Sequence, residues 1–145
     1  MTSGWRQPTD TERALLQVLG RAESCSLEIV EQLASVLVRS SCGCGCGCLE
    51  LRTLAATGPR PRMGRSYVVE AEGRDPQGRR ALVSLVAVDG QLAELEIAPI
   101  AADEIAPPLP ESLVQLDAVP RGTLALRWMV PRAQTILEEL ARRSA

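Results

Sequence analysis

Ala81-Leu-Val-Ser-Leu-Val-Ala-Val88-Asp89-Gly90-Gln-Leu-Ala-Glu-Leu-Glu-Ile97 is the stretch that decides the fold class. Asp-Gly between two apolar segments is a two-residue hairpin signal, because both central residues of the favoured turn need positive φ. Before it runs an uninterrupted apolar segment, the pattern of a strand buried on both faces. After it, Ala93, Leu95 and Ile97 alternate with Glu94 and Glu96, the pattern of a strand with one wet face. Two antiparallel strands are therefore expected at 81–88 and 91–97.

Working outward, Asp75-Pro76-Gln77-Gly78 is a turn signal, and before it Tyr67, Val69 and Ala71 alternate with Glu70 and Glu72 in a further strand. Leu49 and Leu51 alternate with Glu50 and Arg52 in a strand running to about Leu54. The expected sheet is an antiparallel meander whose leucine-bearing face is covered by helices. Gly58–Gly64 reads as a loop.

The helices precede the strands. Thr9-Asp10-Thr11-Glu12 has capping-box form, and Ala14, Leu15, Val18, Leu19 and Ala22 recur at helical spacing, which predicts a helix over 10–22. Ser26 can cap a second, with Ile29, Val30, Leu33, Val36 and Leu37 on its apolar stripe and Glu28, Glu31 and Gln32 on its wet side. Residues 98–111 are rich in Ala and Pro and read as a wrapping segment or linker. Beyond it, 123–130 reads as a fifth strand, and Pro131 opens a last helix bearing Ile136, Leu137, Leu140 and Ala141. The expectation is an α+β protein with two N-terminal helices on a sheet of four or five strands and a C-terminal helix. It divides into a core over 1–110 and an extension over 111–145 that completes the core or docks on a partner, a second copy of the chain included.

Composition narrows function by exclusion. The 145 residues include 46% hydrophobic and 23% charged side chains, normal for one globular core. With Phe absent and Trp5, Trp128 and Tyr67 the only large rings, that core is aliphatic. The chain lacks His, Lys and Asn, so all 16 basic residues are Arg. That removes His-dependent nucleophile pairs, imidazole metal ligands, Schiff-base lysines and the lysine of a phosphate-binding loop. A net charge of -2 and few rings argue against nucleic acid, and the Arg60, Arg62 and Arg65 cluster reads as a solvated loop. Neither a signal peptide nor a run of about 18 apolar residues is apparent, so a cytoplasmic protein without a membrane span is expected.

One stretch carries chemistry. Cys42-Gly-Cys44-Gly-Cys46-Gly-Cys48 gathers four of the five cysteines. Thiolates are soft ligands, and glycines let a backbone turn sharply. As a regular strand the run would spread its outer sulfurs over about 20 Å at roughly 3.3 Å per residue, too far for one tetrahedral ion. A mononuclear site therefore requires the run to curl. Zinc is the first candidate and Cu(I) the second, with Cys42, Cys44, Cys46 and Cys48 as ligands.

The competing expectations are buried small residues packed inertly, and labile disulfides between near neighbours. Cys25, alone near the second helix, reads as a packed small residue. Glu50, Glu70, Glu72, Glu94 and Glu96 share one sheet face, which reads as a solvated surface and, in a milder functional version, as a face for a basic protein partner. The functional expectation is a non-enzymatic binding or interaction protein with a soft metal. The alternatives are a thiol redox or metal-transfer protein and an immunity-type protein or assembly subunit.

Thr11-Glu12-Arg13-Ala14-Leu15-Leu16, Cys44-Gly-Cys-Gly-Cys48 leading into Leu49-Glu50-Leu51, and Val88-Asp89-Gly90-Gln91-Leu92-Ala93-Glu94-Leu95-Glu96 together resemble a group of small uncharacterised bacterial proteins. Those pair a helical start with a Cys-x-Cys-rich strand and a closing hairpin. The resemblance covers about residues 10–100. It implies an α+β fold and a cytoplasmic bacterial setting, and it brings no activity or site role with it.

Overall fold

A computed structural model describes residues 4–43, 45–53 and 64–116. Two helices, α1 (Asp10–Gly20) and α2 (Leu27–Ala34), precede six strands: β1 (Leu37–Ser40), β2 (Leu49–Arg52), β3 (Arg65–Arg74), β4 (Arg80–Val88), β5 (Gln91–Pro99) and β6 (Val114–Gln115). All pairings are antiparallel, in the order β1-β2-β5-β4-β3-β6. The fold is α+β. The expected strand at 123–130, the C-terminal helix and the loop residues before Gly64 lie outside the described residues.

α1 starts where its sequence says it should. The Thr9 hydroxyl accepts from the Glu12 amide, and the Glu12 carboxylate accepts from the Thr9 amide at 2.8 Å. The same carboxylate takes Arg6, at 2.6 Å, which ties the N-terminal segment to the helix. That hydrogen bond holds the Glu12 carboxyl below the usual range. Ser26 caps α2 as expected, its hydroxyl accepting from the Ile29 amide.

The second helix is shorter than its apolar stripe. It ends at Ala34, and Leu37 opens β1, a strand absent from the sequence expectation. The spacing Ile29, Leu33, Val36, Leu37 fits a helix, so the period by itself does not mark the break. Val36 and Val38 are buried, on opposite sides of that junction's half-exposed Leu37.

Gln32, expected on the wet side, is 2% exposed. Its Nε2 donates to the Gly90 carbonyl at 2.9 Å, and its Oε1 accepts from the Leu92 amide at 2.8 Å. The side chain thus satisfies two backbone groups at the start of β5 and fastens α2 to the hairpin tip. Buried polar groups persist where such partners exist.

The hairpin of β4 and β5 turns through Asp89 and Gly90, with φ of 51° and 80°. β4 is buried on both faces: Val83 and Leu85 belong to the core cluster that also holds the helix leucines, and Ser84 and Val86 are buried on the other side. The core joins Leu15, Leu16 and Leu19 of α1 and Ile29 of α2 to Val69, Leu85, Leu92 and Leu95 of the sheet. Each fully buried aliphatic side chain contributes about 1.5–3 kcal/mol relative to exposure.

Two bulges reset the alternation. Between Tyr67 and Val69 the register with β4 shifts by one residue, so Tyr67 pairs with Val86 and joins the glutamate face, away from Val69 and Ala71. A second shift between Val86 and Ala87 puts Leu92, 3% exposed, in the core where strict alternation places Ala93.

The order is also more than a meander. β3, β4 and β5 follow one another, but β2 pairs with the far side of β5, and β1 and β2 form a separate hairpin. Arg6 bridges to Val38 on the outer side of β1, and Trp5 lies 4.6 Å from the Arg39 guanidinium.

Residues 100–113 wrap the end of the sheet away from the Asp89–Gly90 turn. Ile100, Ile105 and Pro108 are buried, and the Leu109 amide donates to the Arg74 carbonyl. Asp75 anchors this wrap. Its carboxylate accepts from the amides of Gln77, Arg79 and Ala106 and from Arg79 Nε at 2.7 Å. Burial opposes its charge, but the hydrogen bonds win and lower its pKa to about 2. Among the described residues, no helix is long and apolar enough to cross a membrane.

Candidate metal centre

The cysteine run is the loop of the β1–β2 hairpin. Ser40 pairs with Leu49 at its base, and the Ser41 amide donates to the Cys48 carbonyl at 3.2 Å. The run does curl: Gly45 and Gly47 adopt φ of 80° and 93°, values that a β-carbon makes costly.

Curling brings three sulfurs together. Cys42 Sγ lies 3.2 Å from Cys46 Sγ, and Cys46 Sγ lies 3.3 Å from Cys48 Sγ. All three atoms fall within 4.8 Å of one another. A disulfide needs about 2.05 Å, so these are separate sulfurs in thiol hydrogen-bond contact. Around one zinc at about 2.3 Å, tetrahedral geometry separates sulfurs by roughly 3.8 Å, so a modest outward movement of each would seat an ion. The fourth expected ligand, Cys44, lies outside the described residues.

The loop is braced by β5. β2 stops pairing with β5 at Leu49 and Leu95, and Cys48 stands where the ladder would continue. Its Sγ accepts from the Ile97 amide at 3.2 Å and sits 3.3 Å from the Ile97 carbonyl, to which a protonated thiol donates. A sulfur therefore substitutes for backbone at the strand edge. Burial, with Cys42 beside it, pushes the Cys48 thiol up on balance, and the Ile97 amide and Cys46 offset this only in part. An amide aimed at sulfur favours the thiolate, the form that binds metal.

Packing is asymmetric along the loop. A β-carbon on Gly47 would stand 3.2 Å from Ile97 Cδ1 and from Pro107 Cβ and Cγ, whereas one on Gly43 or Gly45 would meet nothing within 4 Å. The Cys48 side is thus pressed against β5 and the wrapping segment, and the tip projects outward. Burial does not follow that gradient: Cys42 is exposed and Cys48 half-buried, while Cys46 is only 6% exposed. Cys48 does not lie on the charged strand face that simple alternation gives it, because the residue precedes β2 and its sulfur turns to Ile97.

Cys25 is apart from this group. Its half-buried thiol donates to the Leu19 carbonyl at 3.4 Å and packs against the core, as expected of a small apolar residue.

The glutamate face is largely matched by arginine. Glu50 pairs with Arg39, Glu72 with Arg80, and Glu94 and Glu96 share Arg65, with Glu94 at 3.1 Å. Strand register rather than proximity in sequence selects these partners. The Arg65 guanidinium holds the Glu94 carboxyl below the usual range, while burial and the Glu94 neighbour raise that of Glu96.

Sequence reasoning singled out the cysteines but not the backbone of Ile97, whose role depends on where the β2–β5 ladder ends. Comparison with known protein families, with curated proteins and with solved structures returned no match.

Proposed function

We propose that this chain is a small, non-enzymatic protein whose β1–β2 loop holds a soft metal ion, zinc first and Cu(I) second, through Cys42, Cys44, Cys46 and Cys48. The observation that carries the reading is the convergence of the Cys42, Cys46 and Cys48 sulfurs on one point of a loop braced by β5. Thiolates at that spacing suit soft ions, and the donors grouped among the described residues are all cysteine sulfurs.

The two metals differ in what they ask of Cys44. Zinc completes a tetrahedron with a fourth ligand, whereas Cu(I) is satisfied by fewer thiolates. The test is elemental analysis of protein purified without chelator, followed by affinity measurements on Cys44→Ser. A zinc protein carries about one zinc per chain and loses affinity by an order of magnitude or more in the variant; a Cu(I) protein binds copper with little change. Metal-free protein that binds neither ion when reduced would end the reading.

A further inference from the structure

The loop has an additional property that metal binding does not require: its exposed sulfur and its most buried sulfur touch. Cys42 reaches solvent, and its Sγ lies 3.2 Å from that of Cys46, about 1.2 Å beyond disulfide length. We propose that Cys42 and Cys46 form a peroxide-responsive pair whose disulfide disables the metal centre, so that oxidation releases the ion. This inference rests on the metal-holding role proposed above.

Three observations select this pair over Cys46 and Cys48, which are equally close. Peroxide must reach the first thiolate, and Cys42 is exposed where Cys48 is half-buried. Closing a disulfide needs the backbone to shift, and Gly43 and Gly45 between Cys42 and Cys46 have open space around them, whereas Gly47 is wedged against Ile97 and Pro107. Cys48 is also fixed at both the amide and the carbonyl of Ile97, which opposes its movement toward Cys46.

The chemistry balances with peroxide as the oxidant. The Cys42 thiolate attacks one peroxide oxygen; an S–O bond forms, the O–O bond breaks, hydroxide leaves, and the sulfur is oxidised to a sulfenic acid. The Cys46 thiolate then attacks that sulfur, forming the S–S bond and expelling a second hydroxide. Solvent protons convert both hydroxides to water. Two thiolates have lost two electrons to one peroxide, and two ligands have lost the charge that held the cation, which departs hydrated. A dithiol reductant reverses the exchange and regenerates the ligands.

The test uses the full chain, reduced and loaded with zinc, exposed to hydrogen peroxide in the presence of a chromogenic zinc chelator. Differential alkylation and fragment mass spectrometry then identify the oxidised cysteines. Expected are zinc release in step with a Cys42–Cys46 disulfide, recovery of binding after dithiothreitol, the same disulfide in Cys48→Ser, and a dimedone-trapped sulfenic acid at Cys42 in Cys46→Ser. Reduced protein that takes up no zinc would sink the metal reading itself. Protein that binds zinc but keeps it under peroxide, or that links Cys44 or Cys48 instead, would overturn this inference while leaving the metal reading intact.

Discussion

The Ile97 amide donates to the Cys48 sulfur at 3.2 Å, at the point where β2 ceases to pair with β5. One side chain thereby ends a strand ladder and anchors the loop that carries the other thiols. The sheet is part of the site: β5 fixes the deep side of the sulfur group, and the glycines leave its outer side adjustable.

The glycines are accordingly unequal. Gly45→Ala meets only the backbone cost of a β-carbon at positive φ, about 1–2 kcal/mol. Gly47→Ala adds crowding against Ile97 and Pro107 and displaces Cys48, so it is expected to cost more stability and to weaken metal binding by at least tenfold more than Gly45→Ala. Denaturant unfolding and metal titration of the two variants check the order.

Gln32→Ala leaves the Leu92 amide and the Gly90 carbonyl without their side-chain partner. Unsatisfied buried groups cost roughly 1–3 kcal/mol each, and solvent reaching the hairpin tip reduces that sum, so a loss of about 2–3 kcal/mol is expected. Gln32→Glu keeps one acceptor for Leu92 but turns an oxygen on the Gly90 carbonyl, and is expected to be less stable at neutral pH than in mild acid. Chemical denaturation at both pH values measures this.

Asp75 sets an acid limit. Its carboxyl titrates near 2 in the folded chain against an ordinary 3.8, so as pH falls the unfolded chain takes up the proton first. The stability contributed by the ionised group is complete above the ordinary value and disappears as pH falls through the folded one. The wild type is expected to lose melting temperature steeply between about pH 4 and pH 2, and Asp75→Asn, less stable at neutral pH, to show a shallower slope in that window. Thermal melts across the range read the difference.

Much of this architecture was legible because local rules and tertiary packing agreed. Thr9 with Glu12, Ser26, and Asp89-Gly90 each satisfy backbone requirements within a few residues, so sequence is sufficient to place them. β1 was hidden because Val36 and Leu37 continue the helical spacing of α2, and the choice of strand there is made by pairing with β2. Gln32 looked solvated because its partners, Gly90 and Leu92, are about 60 residues away in sequence. The bulges at Tyr67–Val69 and Val86–Ala87 likewise have no local signature, and each turned a side chain to the opposite face.

For the cysteines, the need for curling followed from strand geometry, and the glycine conformations supply it. The bracing of Cys48 did not, since it depends on Ile97 and Pro107, which are far away in sequence, packing against one end of the loop.

The aliphatic core runs beneath the cysteine loop. Leu85, fully buried on β4 between β3 and β5, is expected to lose about 2–5 kcal/mol on mutation to Ala. Leu85 stands opposite Leu95, which in turn stands opposite Leu49 at the base of the cysteine loop, so metal affinity of the folded fraction is expected to fall as well, by less than in Cys46→Ala. Calorimetry paired with metal titration separates the two effects.

The most direct measurement is titration of the reduced full chain with Co²⁺ as a spectroscopic stand-in for zinc, followed by displacement with zinc. Saturation near one Co²⁺ per chain is predicted, with intense sulfur-to-metal charge-transfer absorption that is lost in Cys46→Ala and retained in Cys25→Ala. Reduced, folded protein showing no such absorption, or showing it undiminished in Cys46→Ala, would contradict the assignment of these sulfurs as a metal centre.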